Sequence, residues 1–271
     1  MSDSLRLDKA MVARGLVPSR TRAAQLISQG QVSVEGKVVV RASTSVAQGQ
    51  RIVVSGQDHW VSRSAHKLDG ALTSSPQIQV QGRRCLDAGA STGGFTQVLL
   101  ERGADSVVAV DVGHDQLHPS LAADPRVHNH EGLNLRHLRS GELGEPFDLI
   151  VADLSFISLR LVLAPLAGQA AADADLLLMV KPQFEVGRER LGRTGVVSSP
   201  MQRREAVEGV LLAAQELHLH LQLVDVHRSG LPGQDGNVEF FLHLRRSEHA
   251  LSTDAEAEKL RSDRLGSVEF D

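Results

Sequence analysis

Residues 85–95 read Cys85-Leu-Asp-Ala-Gly-Ala-Ser-Thr-Gly-Gly-Phe95, and this stretch decides how the rest of the chain is read. A short apolar run ends in Asp87. A turn follows through Gly89, Gly93 and Gly94, and then Phe95, Val98 and Leu99 fall at helical spacing until Gly103. The pattern is strand, tight turn, helix. Glycines let the backbone approach a ligand, and a helix N-terminus offers free N–H groups. A second apolar run, Val107-Val-Ala-Val110, ends in Asp111, an acid placed to accept hydrogen bonds from a ribose.

The dinucleotide fingerprint spaces its glycines G-x-G-x-x-G. Here they fall as G-x-x-x-G-G behind an acid, which resembles the S-adenosylmethionine (SAM) turn of Rossmann-like methyltransferases. Candidate cofactor contacts are therefore Asp87, Gly89, Ser91, Thr92, Gly93, Gly94, Phe95 and Asp111.

Working outward, buried strands recur at Phe147–Asp153, Leu176–Val180, Leu221–Val226 and Val238–Leu244, with a short strand at Val127-His128. Helical patterns fall at 116–122, 159–172 and 200–217 between them. Strands alternating with helices predict an α/β protein with a doubly wound parallel sheet. Ligand groups gather at the carboxyl ends of such strands, where Asp87, Asp111, Asp153 and Lys181 fall. The charged stretch from Ser252 to Leu265 predicts an exposed helix.

Composition narrows the function. One cysteine, Cys85, excludes an internal disulfide framework and suits a reducing cytosol. No apolar run approaches membrane-spanning length, and the N-terminus carries no secretory h-region. The net charge of −4 hides an asymmetry: residues 1–66 carry nine Lys+Arg against four Asp+Glu, leaving 20 against 29 for the rest. A basic arm on an acidic body points to a polyanionic partner. Aromatic residues make up 3% with no Tyr, which disfavours base stacking as the main binding mode.

That arm reads as a helix from Leu5 to Gly15, a second helix capped by Ser19 and closed by Gly30, and a hairpin turning at Glu35-Gly36. Arg6-Leu7-Asp8, Ser19-Arg20, Leu26-Ile27 and Gly30-Gln-Val-Ser-Val-Glu-Gly36 resemble the S4-like RNA-binding domain. Arg6, Arg20, Arg22 and Lys37 are its candidate RNA contacts. The expected division is an S4-like domain at 1–56, a linker at 57–62, a methyltransferase domain at 63–247 and the tail at 248–271.

Lys67, Asp153, Lys181 and Glu239 resemble the tetrad of ribose 2′-O-methyltransferases. A ribose hydroxyl is a poor nucleophile and must lose its proton as it attacks the methyl carbon. A lysine accepts that proton only when neutral, a form favoured by a neighbouring cation and a dry pocket. Carboxylates hold the ammonium groups in place.

Val61-Ser-Arg-Ser-Ala-His-Lys-Leu68, Asp111-Val-Gly113, Val151-Ala-Asp-Leu-Ser-Phe-Ile-Ser-Leu159, Val180-Lys-Pro-Gln-Phe-Glu-Val-Gly187 and Gly236-Asn-Val-Glu239 join the turn in one whole-chain resemblance. The chain resembles the TlyA (haemolysin A) family of rRNA 2′-O-methyltransferases, which join an S4-like domain to an FtsJ-like methyltransferase domain. The resemblance implies a Rossmann-like class I SAM methyltransferase fold beside a small α+β S4-like domain. It implies SAM as cofactor, with Asn134 and Asp153 among its contacts, and no metal. The implied reaction is methylation of cytidine 2′-hydroxyls in ribosomal RNA of the large subunit, with the small subunit a further substrate. The partners are ribosomal RNA or ribosomal subunits in the cytoplasm, with no membrane and no obligate protein partner. The rival readings are a membrane-active haemolysin and an RNA-binding protein with an inactive enzyme domain. His114-Asp115 and Glu131-Gly-Leu-Asn134 depart from the family's usual spelling.

Overall fold

Each central strand buries alternate residues on opposite faces, as Cys85/Leu86, Val107/Val108 and Leu149/Ile150 do. Such strands need cover on both sides and therefore sit inside a helix-flanked sheet. The computed structural model describes residues 4–54, 59–217, 219–233, 235–247 and 254–271. It divides into two units, Met1–His59 and Trp60–Asp271.

In the first unit β1 (Ser4–Arg6) leads directly into α1 (Leu7–Ala13), followed by α2 (Arg20–Ser28). After β2 (Val32–Val34) and β3 (Lys37–Val38) comes β4 (Ser45–Ala47), and the helix expected from Leu5 begins only at Leu7 because Ser4–Arg6 pair with β4. Ser19 caps α2 by accepting from the Arg22 N–H at 3.3 Å. Glu35 and Gly36 turn the hairpin at φ 51° and 77°, the twist that suits tight antiparallel strands. β5 (Ile52–Val54) completes a sheet of order β3-β2-β5 over Leu7, Met11, Ile27 and Val32.

The second unit contains α3 (Ser64–Ser74), β6 (Arg84–Ala88), α4 (Gly94–Glu101), β7 (Ser106–Val110), α5 (Pro119–Ala122), β8 (Val127–His130) and β9 (Phe147–Ala152). Then come α6 (Leu163–Ala167), β10 (Ala170–Val180), α7 (Pro182–Glu185), α8 (Pro200–Glu216), β11 (Leu221–Arg228), β12 (Phe240–Arg246) and α9 (Asp254–Gly266). The seven strands lie in the order β11-β12-β10-β9-β6-β7-β8. All run parallel except β12, which pairs antiparallel with both neighbours. Among the described residues no helix joins β11 to β12, so the chain doubles back as a hairpin.

Three expectations need correction. The helix over 159–172 stops at Ala167, and Ala170 pairs with Phe147 at the start of β10. Alanine favours helix, but the sheet partner decides. The helix over 116–122 shrinks to Pro119–Ala122, which His118 caps and Pro119 starts. The tail is not simply exposed: Leu265 and Phe270 are buried against the core, while 248–253 lie outside the described residues. Of the expected linker, 57 and 58 also lie outside them, whereas Trp60 and Val61 pack on the second unit.

Asp175 closes the sheet edge away from the carboxyl ends. It accepts from His243 at 2.8 Å, Arg83 at 2.8 Å and Arg245 at 2.8 Å, and is wholly buried. Burial pushes its carboxyl up, but those hydrogen bonds outweigh it and hold it at about 2. Cys85 is core, its thiol pushed up to about 12 by burial.

Candidate active site

The strand register assembles the site. Val180 faces Phe240, so the next residues outward on that edge are Lys181 and Glu239. Ala88 lies between Ala152 and Val110, which sets Asp153 and Asp111 on the same edge. Only antiparallel β12 could bring a residue that precedes its strand to this end.

The four candidate catalytic residues form two ion pairs. Lys181 Nζ lies 2.6 Å from Asp153 Oδ1 and donates to Ser155 Oγ at 2.8 Å. Lys67 Nζ donates to Glu239 Oε2 at 2.6 Å, with side-chain exposures of 8% and 2%. Gly94 makes room for α3, because a Cβ there would lie 2.3 Å from Ser64 Oγ. Lys67 thus reaches the sheet edge through a glycine contact between helices.

Two main hollows meet at this edge. The first, about 550 Å³, is lined by Gly89, Ser91, Asp111, Asn134 and Asp153. The second, about 450 Å³, is lined by Lys67, Lys181 and Glu239. Ser155 and Phe156 belong to both, and a smaller hollow between them is lined by Gly89, Phe95, Asp153 and Lys181. Phe156 is 92% exposed at φ 65°, and its ring lies 5.3 Å from that of Phe184. An aromatic residue held in the left-handed region and open to solvent is a strained position typical of functional loops. Sequence reading missed Phe156 and Val112, which line the first hollow; the positive φ of Phe156 leaves no trace in composition.

Asp111 accepts from the Ser91 N–H and the Gly113 N–H, each at 2.8 Å, which fixes its carboxylate at the mouth of the first hollow. Gly89 stands at φ 87°, and a Cβ there would lie 2.8 Å from the Asp153 carbonyl oxygen. The two departures from family spelling meet each other: Glu131 accepts from the Asp115 N–H at 2.9 Å, and a Cβ on Gly132 would lie 2.7 Å from His114.

Other cofactor candidates have different work. Asp87 faces the interior, not the hollow, and accepts from Thr96 Oγ1 at 2.6 Å. Burial pushes its carboxyl up to about 7, opposed by the Thr96 hydroxyl and reinforced by the charge of Asp153. The space beside Gly93 is filled by Leu121 and Leu117, at 2.4 and 2.7 Å from a would-be Cβ, so packing alone already requires glycine here. Thr92 lies outside the hollow linings described above and accepts the His118 N–H at 3.1 Å.

In the first unit Arg6 and Arg20 both hold the buried Asp8, at 3.0 and 2.8 Å. The hydrogen bond from Arg6, with that from Arg20, overcomes burial and keeps this carboxyl at about 2. Both arginines remain about half exposed, at 49% and 56%. Arg22 donates to Gln25, and Lys37 is exposed on the hairpin.

The first hollow fits SAM. Gly89 leaves space over the turn, Asp111 offers acceptors at the end of β7, and Val112, 65% exposed, gives an apolar face for a purine. Asp153 also lines this hollow, paired with Lys181. A seven-stranded sheet with one reversed strand and this hollow at its carboxyl edge defines the class: a SAM-dependent methyltransferase.

Residues 60–246 match the FtsJ-like methyltransferase family, and residues 5–52 match the S4 domain. The chain is 51% identical over 255 residues to the 16S/23S rRNA (cytidine-2′-O)-methyltransferase TlyA of Mycobacterium tuberculosis, covering 93% of this chain and 94% of that protein. It is 32% identical to Hemolysin A of Brachyspira hyodysenteriae, covering 89% and 99%. A solved structure from Streptococcus thermophilus, described as a hemolysin, superposes with a TM-score of 0.68 at 30% identity, covering 98% and 100%. The chain belongs to the TlyA family, in which an S4 domain is joined to an FtsJ-like methyltransferase. Among the described residues no helix is long and apolar enough to cross a membrane.

Proposed function

We propose that this enzyme methylates cytidine 2′-hydroxyls in ribosomal RNA of the large subunit, and of the small subunit as well, in the cytoplasm. The relative from Mycobacterium tuberculosis is named for both rRNAs. The observation that carries the reading is Lys181, which lies on the wall between the two hollows, paired with Asp153. Bound SAM supplies a methyl group on a positively charged sulfur that departs as a neutral thioether. Lys181 Nζ, in the neutral form left once it has given a proton to solvent, takes the proton of the 2′-hydroxyl as that oxygen forms its bond to carbon. Asp153 and Ser155 aim the Lys181 amine. Lys67, held by Glu239, supplies positive charge to the developing alkoxide from the far wall. Alignment of hydroxyl and methyl supplies most of the rate. Phe156, open to solvent between the hollows, offers a flat face to the base of the target nucleotide. Arg22 and Lys37, with the outer faces of Arg6 and Arg20, meet phosphates. In this reading the four residues form the catalytic set, with Gly89, Ser91, Asp111, Asn134 and Asp153 as cofactor contacts.

The test is Lys181→Ala. SAM binding by calorimetry should stay near wild type while methyl transfer to ribosomal RNA disappears. A variant that transfers methyl groups at the wild-type rate would assign the base to another group.

A further inference from the structure

The segment after α9 returns to the catalytic edge. Phe270 is 8% exposed, and its ring centre lies 4.9 Å from that of Phe240. Phe240 directly follows Glu239. The Phe270 carbonyl also accepts from the Arg203 guanidinium at 2.8 Å, and Arg203 Nε donates to the Val197 carbonyl at 2.9 Å. The Val197 N–H donates to Asn237 Oδ1 at 2.9 Å, and the Asn237 carbonyl accepts from the Gly233 N–H at 2.8 Å. Gly233 is pressed on the carboxylate, since a Cβ there would lie 2.6 Å from Glu239 Oε1. The Ser229 N–H closes the turn on the Glu239 carbonyl at 2.8 Å. Two routes, one of rings and one of hydrogen bonds, therefore run from Phe270 to the residues on either side of Glu239.

Arg203 is 8% exposed, and both of these hydrogen bonds go to carbonyls. A buried guanidinium is a costly way to gain stability alone. It is well suited to fixing three segments at once. We propose that Phe270 and Arg203 are positioning residues that hold the 229–239 turn so that the Glu239 carboxylate meets Lys67. This rests on the reading of Lys67, Asp153, Lys181 and Glu239 as the reacting set. Neither residue touches the first hollow, so cofactor binding should be independent of both.

The experiment uses the full chain with Phe270→Ala, Phe270→Leu and Arg203→Lys, and Glu239→Gln as control. SAM affinity, single-turnover methyl transfer and amide exchange at Ser229 and Gly233 are measured. Phe270→Ala and Arg203→Lys should leave SAM affinity within about twofold while transfer falls about tenfold or more, the scale of a slightly misplaced catalytic group. Exchange at Ser229 and Gly233 should quicken, and Phe270→Leu should restore most of the rate. Wild-type transfer by Phe270→Ala, or a loss matched by an equal loss of SAM affinity, overturns the proposal. If Glu239→Gln is inactive while Phe270→Ala is fully active, only the positioning role falls. If Glu239→Gln is itself fully active, the reading of the four residues falls with it.

Discussion

Breaking the Lys67–Glu239 pair should separate its structural from its chemical role. The two groups meet at 2.6 Å with almost no solvent contact. Lys67→Met leaves Glu239 as an unpaired buried carboxylate, and removing one partner of such a pair costs about 3–5 kcal/mol. For a domain of this size each kcal/mol moves the melting temperature by roughly 2–4 °C, so the midpoint should fall by about 6–20 °C. Glu239→Leu should cost a similar amount by stranding the ammonium group. The double variant Lys67→Met/Glu239→Leu strands neither charge and replaces the pair with apolar volume, which is often neutral. It should melt within about 1 kcal/mol of wild type, giving a coupling of at least about 5 kcal/mol in the cycle. It should nevertheless transfer no methyl groups. The assays are thermal unfolding of all four proteins and methyl transfer to ribosomal RNA by the double variant. Additive destabilisation would refute the buried coupling, and an active double variant would refute the catalytic role.

Gly89→Ala places a Cβ 2.8 Å from the Asp153 carbonyl at φ 87°, a strain of about 1–3 kcal/mol, so SAM affinity measured by calorimetry should fall about tenfold or more. Asp175 has a folded pKa held below its unfolded value, so its contribution is present above pH 4 and lost as pH falls toward about 2. After allowance for the partly exposed Arg245, that contribution is roughly 1–2 kcal/mol, and acid unfolding curves of Asp175→Asn should lack this limb. Lys37→Ala should flatten the salt dependence of RNA affinity by about one counterion without changing the melting temperature. Arg6→Ala should do the same but also lower the melting temperature, because Asp8 loses a partner.

The candidate residues at the carboxyl edge were largely legible because parallel strands bring those ends together. Asp111, Asp153 and Lys181 each follow an apolar run and line the hollows there, whereas Asp87, inside its strand, turns to the interior. Which lysine meets which carboxylate was not legible, since it depends on the register of Val180 against Phe240. Nor was the reversal of β12, which follows from a missing helix and not from the strand itself. The glycine pattern was read correctly as a tight turn, yet Gly93 and Gly94 are small to admit Leu121 and α3. Charge told only part of the story. That Arg6 and Arg20 share Asp8, twelve residues from Arg20, was not legible, although both side chains stay about half exposed. The tail looked solvated because Leu265 and Phe270 are sparse apolar anchors in a charged segment.

The strand order also constrains how the chain is made. β11 emerges from the ribosome before β12 but sits beyond it in the sheet, so it has no partner until 240–246 are synthesised. Until then β10 presents Leu176-Leu-Leu-Met-Val180 as an unpaired edge, the kind of apolar, uncharged strand that recruits other chains. Insertion of β12 shields that edge and joins Glu239 to Lys67, 172 residues earlier, in the same event. A nascent chain halted before residue 240 would be both inactive and prone to aggregate, and completion of one late strand removes both conditions together.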